Sequence, residues 1–235
     1  MTILGLQLST HLLDELKAFY VDTLTLPLAE EREGSFAVEA GTSKLVFEVA
    51  EPDTRPSYYF GFHVSQNHFD SVTRRLSQRL PLHQPSGDGL GKSASRNAVF
   101  CSDPAQNVIA LIPSAAPRDL QAVANQLEID RVGELGLVVE DVQNMRQQLE
   151  TRLGFTSYPM TSGTRVELRN ATTTFILMPP GETILQNGGP KTAIYPIIMT
   201  LAGNINAVDR LDDYPYFIHI ADISDVPGVQ LATPV

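Results

Sequence analysis

The sequence predicts an α+β protein built from tandem β-α-β-β-(β) modules, and three observations carry that expectation. Apolar positions alternate with a period of two, change to a helical period and return to two, and the cycle runs three times before Met178. Pro27 and Pro81 close the first two helical stripes. The stripe Leu16, Tyr20 and Leu24 keeps the same offsets from Gly5 that Met145, Leu149 and Leu153 keep from Glu134, the mark of a duplicated unit.

Taken in order, residues 3–9 form a strand, and Leu12, Leu16, Phe19, Tyr20 and Leu24 mark one side of a helix. Residues 35–40 and 44–49 are strands joined by Gly41-Thr42-Ser43, which suits a hairpin turn. The pattern restarts with a strand at 58–64, a helical stripe at Phe69, Val72, Leu76 and Leu80, and strands at 97–101 and 107–112 flanking Asp103-Pro104. Residues 113–119 form a joint, followed by a short linking helix through Leu120, Val123, Ala124 and Leu127.

The third cycle is a strand at 134–139, a helix through Val142, Met145, Leu149 and Leu153, and strands at 164–168 and 174–178. A fourth unit has strands at 193–201 and 216–221, but residues 204–213 leave little room for a helix, so it is reduced and ends in a tail from Asp222. The expected division is a first domain at 1–115 and a second at 128–235.

The chain has 235 residues, 43% hydrophobic and 19% charged, enough to bury a core without disulfide or metal support. Its net charge of -10 repels phosphate backbones and anionic lipid, so neither nucleic acid nor a membrane is expected as a partner. Asp14 and Glu15 interrupt the start as a signal peptide, and a single cysteine, Cys101, forms no internal bridge; a cytoplasmic location is the simple expectation.

Phe19-Tyr20 followed by Leu24 and Leu26 resembles the helix-ending FY-x-x-x-LG signature of the vicinal oxygen chelate superfamily, and Asp103-Pro104-Ala105-Gln106-Asn107 resembles its DP-x-G-N turn. That superfamily includes glyoxalases, extradiol dioxygenases and bleomycin-resistance proteins. Asn67-His68-Phe69, Asn97-Ala98-Val99-Phe100 and Glu134-Leu135-Gly136-Leu137-Val138 look like a narrower group, two-domain bacterial glyoxalase-like proteins. The resemblance covers residues 2–180. It implies curled mixed sheets around a cavity and a divalent metal, Fe, Mn, Zn or Ni, held by histidines and a glutamate.

Residue by residue, the implied first-strand histidine falls on Gly5 in the first module and on Tyr59 or Gly61 in the second, and the final-strand glutamate of the second falls on Ala110. Glu134 holds the first-strand position of the third module and is the candidate catalytic group or metal ligand. A buried carboxylate there needs a partner or a raised pKa; an exposed or salt-bridged strand glutamate is the plainer alternative. His63 and His219 are the remaining candidate metal ligands. Gln7, Tyr59 and His63 are candidates for a metal-free ligand pocket, with a hydrogen-bonded structural histidine as the plainer reading of His63. Glu39, Glu48 and Glu167 are further strand carboxylates.

Cys101 reads as a packed small residue, and Asp103 with Asn107 as the clamp of the Asp-Pro turn. Gly89-Leu90-Gly91-Lys92-Ser93 lacks the spacing of a phosphate loop, and neither a His-Glu-x-x-His motif nor a nucleophile elbow occurs. Three functions stay open: a metal-dependent lyase or dioxygenase acting on a small oxygenated molecule, a non-enzymatic small-molecule binder with a degenerate metal site, and a scaffold that associates, for which a homodimer is the simple partner.

Overall fold

In each repeat the first strand lies parallel to the last strand of the same repeat, and the first strands of two repeats meet antiparallel. The computed structural model describes residues 1–83, 98–115, 127–160, 164–185, 189–204, 207–211 and 214–222. The first repeat is β1 (Ile3–Thr10), α1 (Leu13–Ala18) with a π-helical turn (Phe19–Thr23), β2 (Leu28–Arg32), β3 (Ser35–Ala40) and β4 (Ser43–Val49). The second is β5 (Tyr59–Ser65), α2 (Gln66–Ser77), β6 (Val99–Ser102) and β7 (Val108–Ser114). The third is β8 (Arg131–Val138), α3 (Val142–Leu153), β9 (Thr156–Pro159), β10 (Val166–Arg169) and β11 (Thr174–Met178). The fourth is β12 (Ile197–Gly203), β13 (Ala207–Leu211) and β14 (Tyr216–Asp222), with no helix among its described residues.

Two mixed seven-stranded sheets result, in the orders β13-β14-β12-β1-β4-β3-β2 and β6-β7-β5-β8-β11-β10-β9. The first and fourth repeats therefore share the first sheet, and the second and third share the second. The halves expected at 1–115 and 128–235 are joined in both sheets, through β1 with β12 and β5 with β8. The expected linking helix, the Gly89-to-Ser93 loop and the tail after Asp222 lie outside the described residues, apart from Leu127.

Strand alternation decides which side chains enter the core. Leu6, Leu8, Leu45, Phe47, Met199 and Ile218 point inward from the first sheet, and Phe60, Phe62, Leu135, Leu137 and Phe175 from the second, all essentially without solvent exposure. The helices add Leu16, Tyr20, Val72, Leu76, Met145 and Leu149 to the same continuous core. Each such side chain contributes about 1.5–3 kcal/mol by leaving water.

Polar ties fix the two sheets to each other. Ser43 Oγ donates to the Ile3 carbonyl at 2.6 Å and accepts from Val132 N at 3.0 Å. The Tyr216 hydroxyl donates to the Val138 carbonyl at 2.6 Å and accepts from Val138 N at 3.1 Å. The Tyr58 hydroxyl donates to the Pro196 carbonyl at 3.1 Å and accepts from Ser9 N at 3.3 Å. At the β3–β4 hairpin, Gly41 has φ +64°, and a Cβ there would stand 2.1 Å from the Asp130 carbonyl oxygen. Only glycine suits both the left-handed turn and the close approach.

Candidate functional site

Outside the shared core, the two sheets treat their second faces differently. On the second sheet that face is packed: Tyr59, Phe100, Ala110, Ile112, Ile176 and Met178 form an apolar cluster covered by Met160 and Ile184. A cavity beside Tyr59, bounded by Gly136, Met178, Ile184 and Tyr195, has about 10 Å³, the lower limit for one water molecule. On the first sheet the corresponding face opens to solvent. Gln7, Ser35, Lys44, Val46, Glu48 and Glu30 border a hollow of about 350 Å³, within the range of small-molecule sites.

Strand register builds that hollow. One complete row runs across all seven strands as Arg210, Phe217, Ile198, Gln7, Val46, Ala37 and Glu30. Gln7 is at its centre, and Nε2 of Gln7 donates to Glu48 Oε2 at 2.8 Å from the neighbouring strand β4. Glu30 receives Lys44 Nζ at 2.7 Å and is also paired with Arg32. These contacts, the Lys44 hydrogen bond first and the Arg32 charge next, hold the Glu30 carboxyl below the usual carboxylate range.

On the packed face, the phenol of Tyr59 donates to Glu134 Oε1. Gly61 is opposite Glu134 in the register; a Cβ at Gly61 would come to 2.7 Å from Ile112 Cδ1 and 3.1 Å from Glu134 Cβ, so the missing side chain lets the apolar cover close on the carboxylate. Burial pushes the Glu134 carboxyl up to about 7, against the lowering effects of the Tyr59 hydrogen bond and the Arg169 charge. Burial, and then the Glu134 charge, hold the Tyr59 phenol well above its ordinary value. Glu134 is therefore the buried one of its two readings, with a partner that sequence spacing did not identify.

His63 lies on the same strand face as Tyr59 but turns to Arg131, whose Nη2 stands 2.9 Å from Nδ1. A guanidinium donates only, so Nδ1 accepts and the ring is neutral. Burial, followed by the Arg131 charge, brings the His63 pKa down to about 4. This is the structural alternative for His63, with its coordinating lone pair on Nδ1 engaged.

His219 is exposed on β14 of the other sheet, beside Thr200. Glu134, His63 and His219 are thus not brought together, and Gln7 stands on the first sheet while Tyr59 and His63 stand on the second. The expected trio Gln7, Tyr59 and His63 does not line one pocket. The cause is strand pairing: the first repeat joins the fourth, so Gln7 meets Glu48 and Ile198 instead.

The rows that correspond to the implied metal positions are Lys44, Gly5, Thr200 and His219 on the first sheet and Ala110, Gly61, Glu134 and Thr174 on the second. At these four positions each row has a single imidazole or carboxylate, and the first continues past Lys44 to Glu39 on β3. Among the described residues, no three His, Cys, Asp or Glu side chains are grouped to hold a metal ion. This donor set does not fit a three-ligand divalent centre.

Glu48 was visible in the sequence only as one strand carboxylate among several, and Lys44, Ser35 and Val46 carried no signal of function. Their shared face follows from a register that pairs residues some forty positions apart.

No protein-family model matches the chain, and no curated protein matches it. Solved structures do. A Bacillus subtilis protein provisionally described as a dioxygenase superposes with a TM-score of 0.65 at 15% identity, over 94% of this chain and 85% of that one. A glyoxalase I variant from Zea mays superposes with a TM-score of 0.55 at 14% identity, over 95% and 94% of the two chains. The unsubstituted maize glyoxalase I gives 0.53 at 14% identity, over 95% and 93%. At these identities the likeness is one of fold alone.

Proposed function

We propose that this chain binds a small organic molecule on the open face of the first sheet, without a divalent metal as an obligate part of the site. The observation that carries this reading is the asymmetry of the two equivalent faces. One is filled by its own apolar side chains, and the other keeps a hollow of about 350 Å³ with the Gln7–Glu48 pair at its floor. The hollow sets polar groups from Gln7, Ser35, Lys44, Glu30 and Glu48 beside Val46 and Ala37, and capture needs no acid–base pair.

The fold would also accommodate a lyase or dioxygenase. That reading has less support, because Glu134, the group best tuned for proton transfer near neutral pH, is buried away from solvent.

Two measurements on one preparation test the proposal. Protein purified without chelator or affinity tag is analysed for metals and then screened by amide NMR against small organic fragments. Bound fragments are expected to move amides of β1, β3 and β4, to lose binding in Val46→Trp, and to do so in metal-free protein. A stoichiometric divalent metal that is lost in Glu134→Gln or His219→Ala overturns the proposal, as does a set of fragments that binds only at the second sheet.

A further inference from the structure

The charges around the hollow are unevenly committed. Lys44 and Arg32 both pair with Glu30, so the two cations nearest the hollow converge on one carboxylate. Glu48 has no ion pair among the described residues, and the hydrogen bond it receives comes from a neutral amide, Gln7 Nε2 at 2.8 Å. That bond also fixes the amide. Turning it over would set Gln7 Oε1 against the Glu48 carboxylate, two acceptors facing each other, so Oε1 is left as an acceptor.

The floor of the hollow therefore offers Gln7 Oε1 and Glu48 Oε1 as neighbouring acceptors, with no donor assigned to either. The Tyr58 hydroxyl, close to this end of β1, is already committed to Ser9 N and the Pro196 carbonyl. In the row of Gln7 stand Val46 on one side and Ile198 and Phe217 on the other, and Phe217 remains 38% exposed. A flat apolar body laid along Ile198 and Val46 would bring a terminal donor group to Gln7 and Glu48.

We propose that the site selects a flat organic cation, an amidinium, guanidinium or ring-borne protonated amine, with its charged donor group on Glu48 and Gln7. This rests on the reading of the hollow as a binding site. A planar cation supplies two donors to two acceptors and matches the unpaired charge. An anion would face the Glu48 carboxylate at the same place.

Benzamidine, benzamide and benzoate are nearly isosteric probes for the cationic, neutral and anionic cases, and titration of the full chain followed by amide NMR compares them. Benzamidine is expected to bind at least about tenfold more tightly than either of the others, the usual size of a charge-assisted hydrogen bond. Glu48→Gln should reduce benzamidine to the level of benzamide with an unchanged melting temperature. Glu31→Gln, which makes the same change in net charge outside the hollow at the Lys17 pair, should leave benzamidine binding as it is.

Equal or tighter binding of benzoate, or undiminished benzamidine binding by Glu48→Gln, overturns the cation assignment. If benzoate binds and Val46→Trp abolishes it, the hollow remains the binding site and its charge preference is wrong. If none of the probes moves amides of β1, β3 or β4, the cation assignment fails and the binding-site reading falls with it.

Discussion

Tyr20 donates its phenolic hydrogen to Asp103 Oδ2 across 2.8 Å, tying the π-helical turn of the first repeat to the Asp-Pro turn of the second. Asn107 closes that turn by donating Nδ2 to Asp103 Oδ2 at 2.7 Å and its backbone N to Oδ1 at 2.9 Å, and its own Oδ1 accepts from Tyr58 N at 2.8 Å. Tyr20→Phe keeps the packed ring but removes one donor from a buried carboxyl. A loss of about 1–3 kcal/mol is expected in urea unfolding, with no change in benzamidine binding.

Glu134 gives stability a pH dependence whose sign is set by burial. Its carboxyl titrates near 7 when folded and near 4.5 in an unperturbed chain, so between those values the folded state holds the extra proton. Stability from this group is therefore greatest below pH 4.5, declines as pH rises to about 7, and is level above. Glu134→Gln is expected to be more stable than the parent at pH 8, by up to about 3 kcal/mol, and to lose that advantage near pH 4.5. Thermal melts of the two proteins across that interval measure it.

His63 acts in the opposite direction. Its folded pKa of about 4 lies below the ordinary 6.5, so the unfolded chain takes up the proton first and stability falls as pH drops through that window. The His63 ring is expected to remain neutral at pH 5.5, as read from its imidazole resonances.

Gly41→Ala tests the contact that fastens the first hairpin to the second sheet. The left-handed φ costs a non-glycine residue about 1–2 kcal/mol, and here the Cβ would also meet the Asp130 carbonyl. Gly154→Ala provides the comparison: φ is +67° at the end of α3, and a Cβ there would meet nothing within 4 Å. Gly41→Ala should lower the melting temperature clearly more than Gly154→Ala.

Cys101 faces the core from β6, and burial, then the Asp103 charge, push its thiol up to about 12. A buried thiol with so little thiolate is inert. Ellman's reagent is expected to leave it unmodified in the native protein and to react fully once denaturant is added.

What the sequence made legible was periodicity within a repeat. The helix at Val142–Leu153 and the strands Ser35–Ala40 and Thr174–Met178 were found at their observed bounds, because the helix has one buried stripe and the two strands are short, largely buried runs. β2 escaped because Leu28–Arg32 is an edge strand carrying Glu30, Glu31 and Arg32, with most of its residues exposed. Such an edge lacks an apolar signature. Pairing between repeats was equally hidden: similar first strands present similar edges, and nothing local specifies that β1 joins β12 or that β5 joins β8. The place of Gly61 opposite Glu134 and of Ile198 beside Gln7 depended on that choice. Glu134 was found from its place in a repeat, whereas its contact with Tyr59 and the meeting of Gln7 with Glu48 required the register.

The pairing of β1 with β12 also sets an order of events during synthesis. The second and third repeats are consecutive, so the second sheet has all its strands once Met178 has left the ribosome. The first sheet cannot be completed until β12 to β14 follow, and until then the antiparallel edge of β1, with Leu6 and Leu8 along it, lacks its partner. Residues 1–50, although made before the other repeats, are among the last to be secured. Chaperone dependence and premature aggregation in this protein should accordingly be concentrated at its N-terminal repeat.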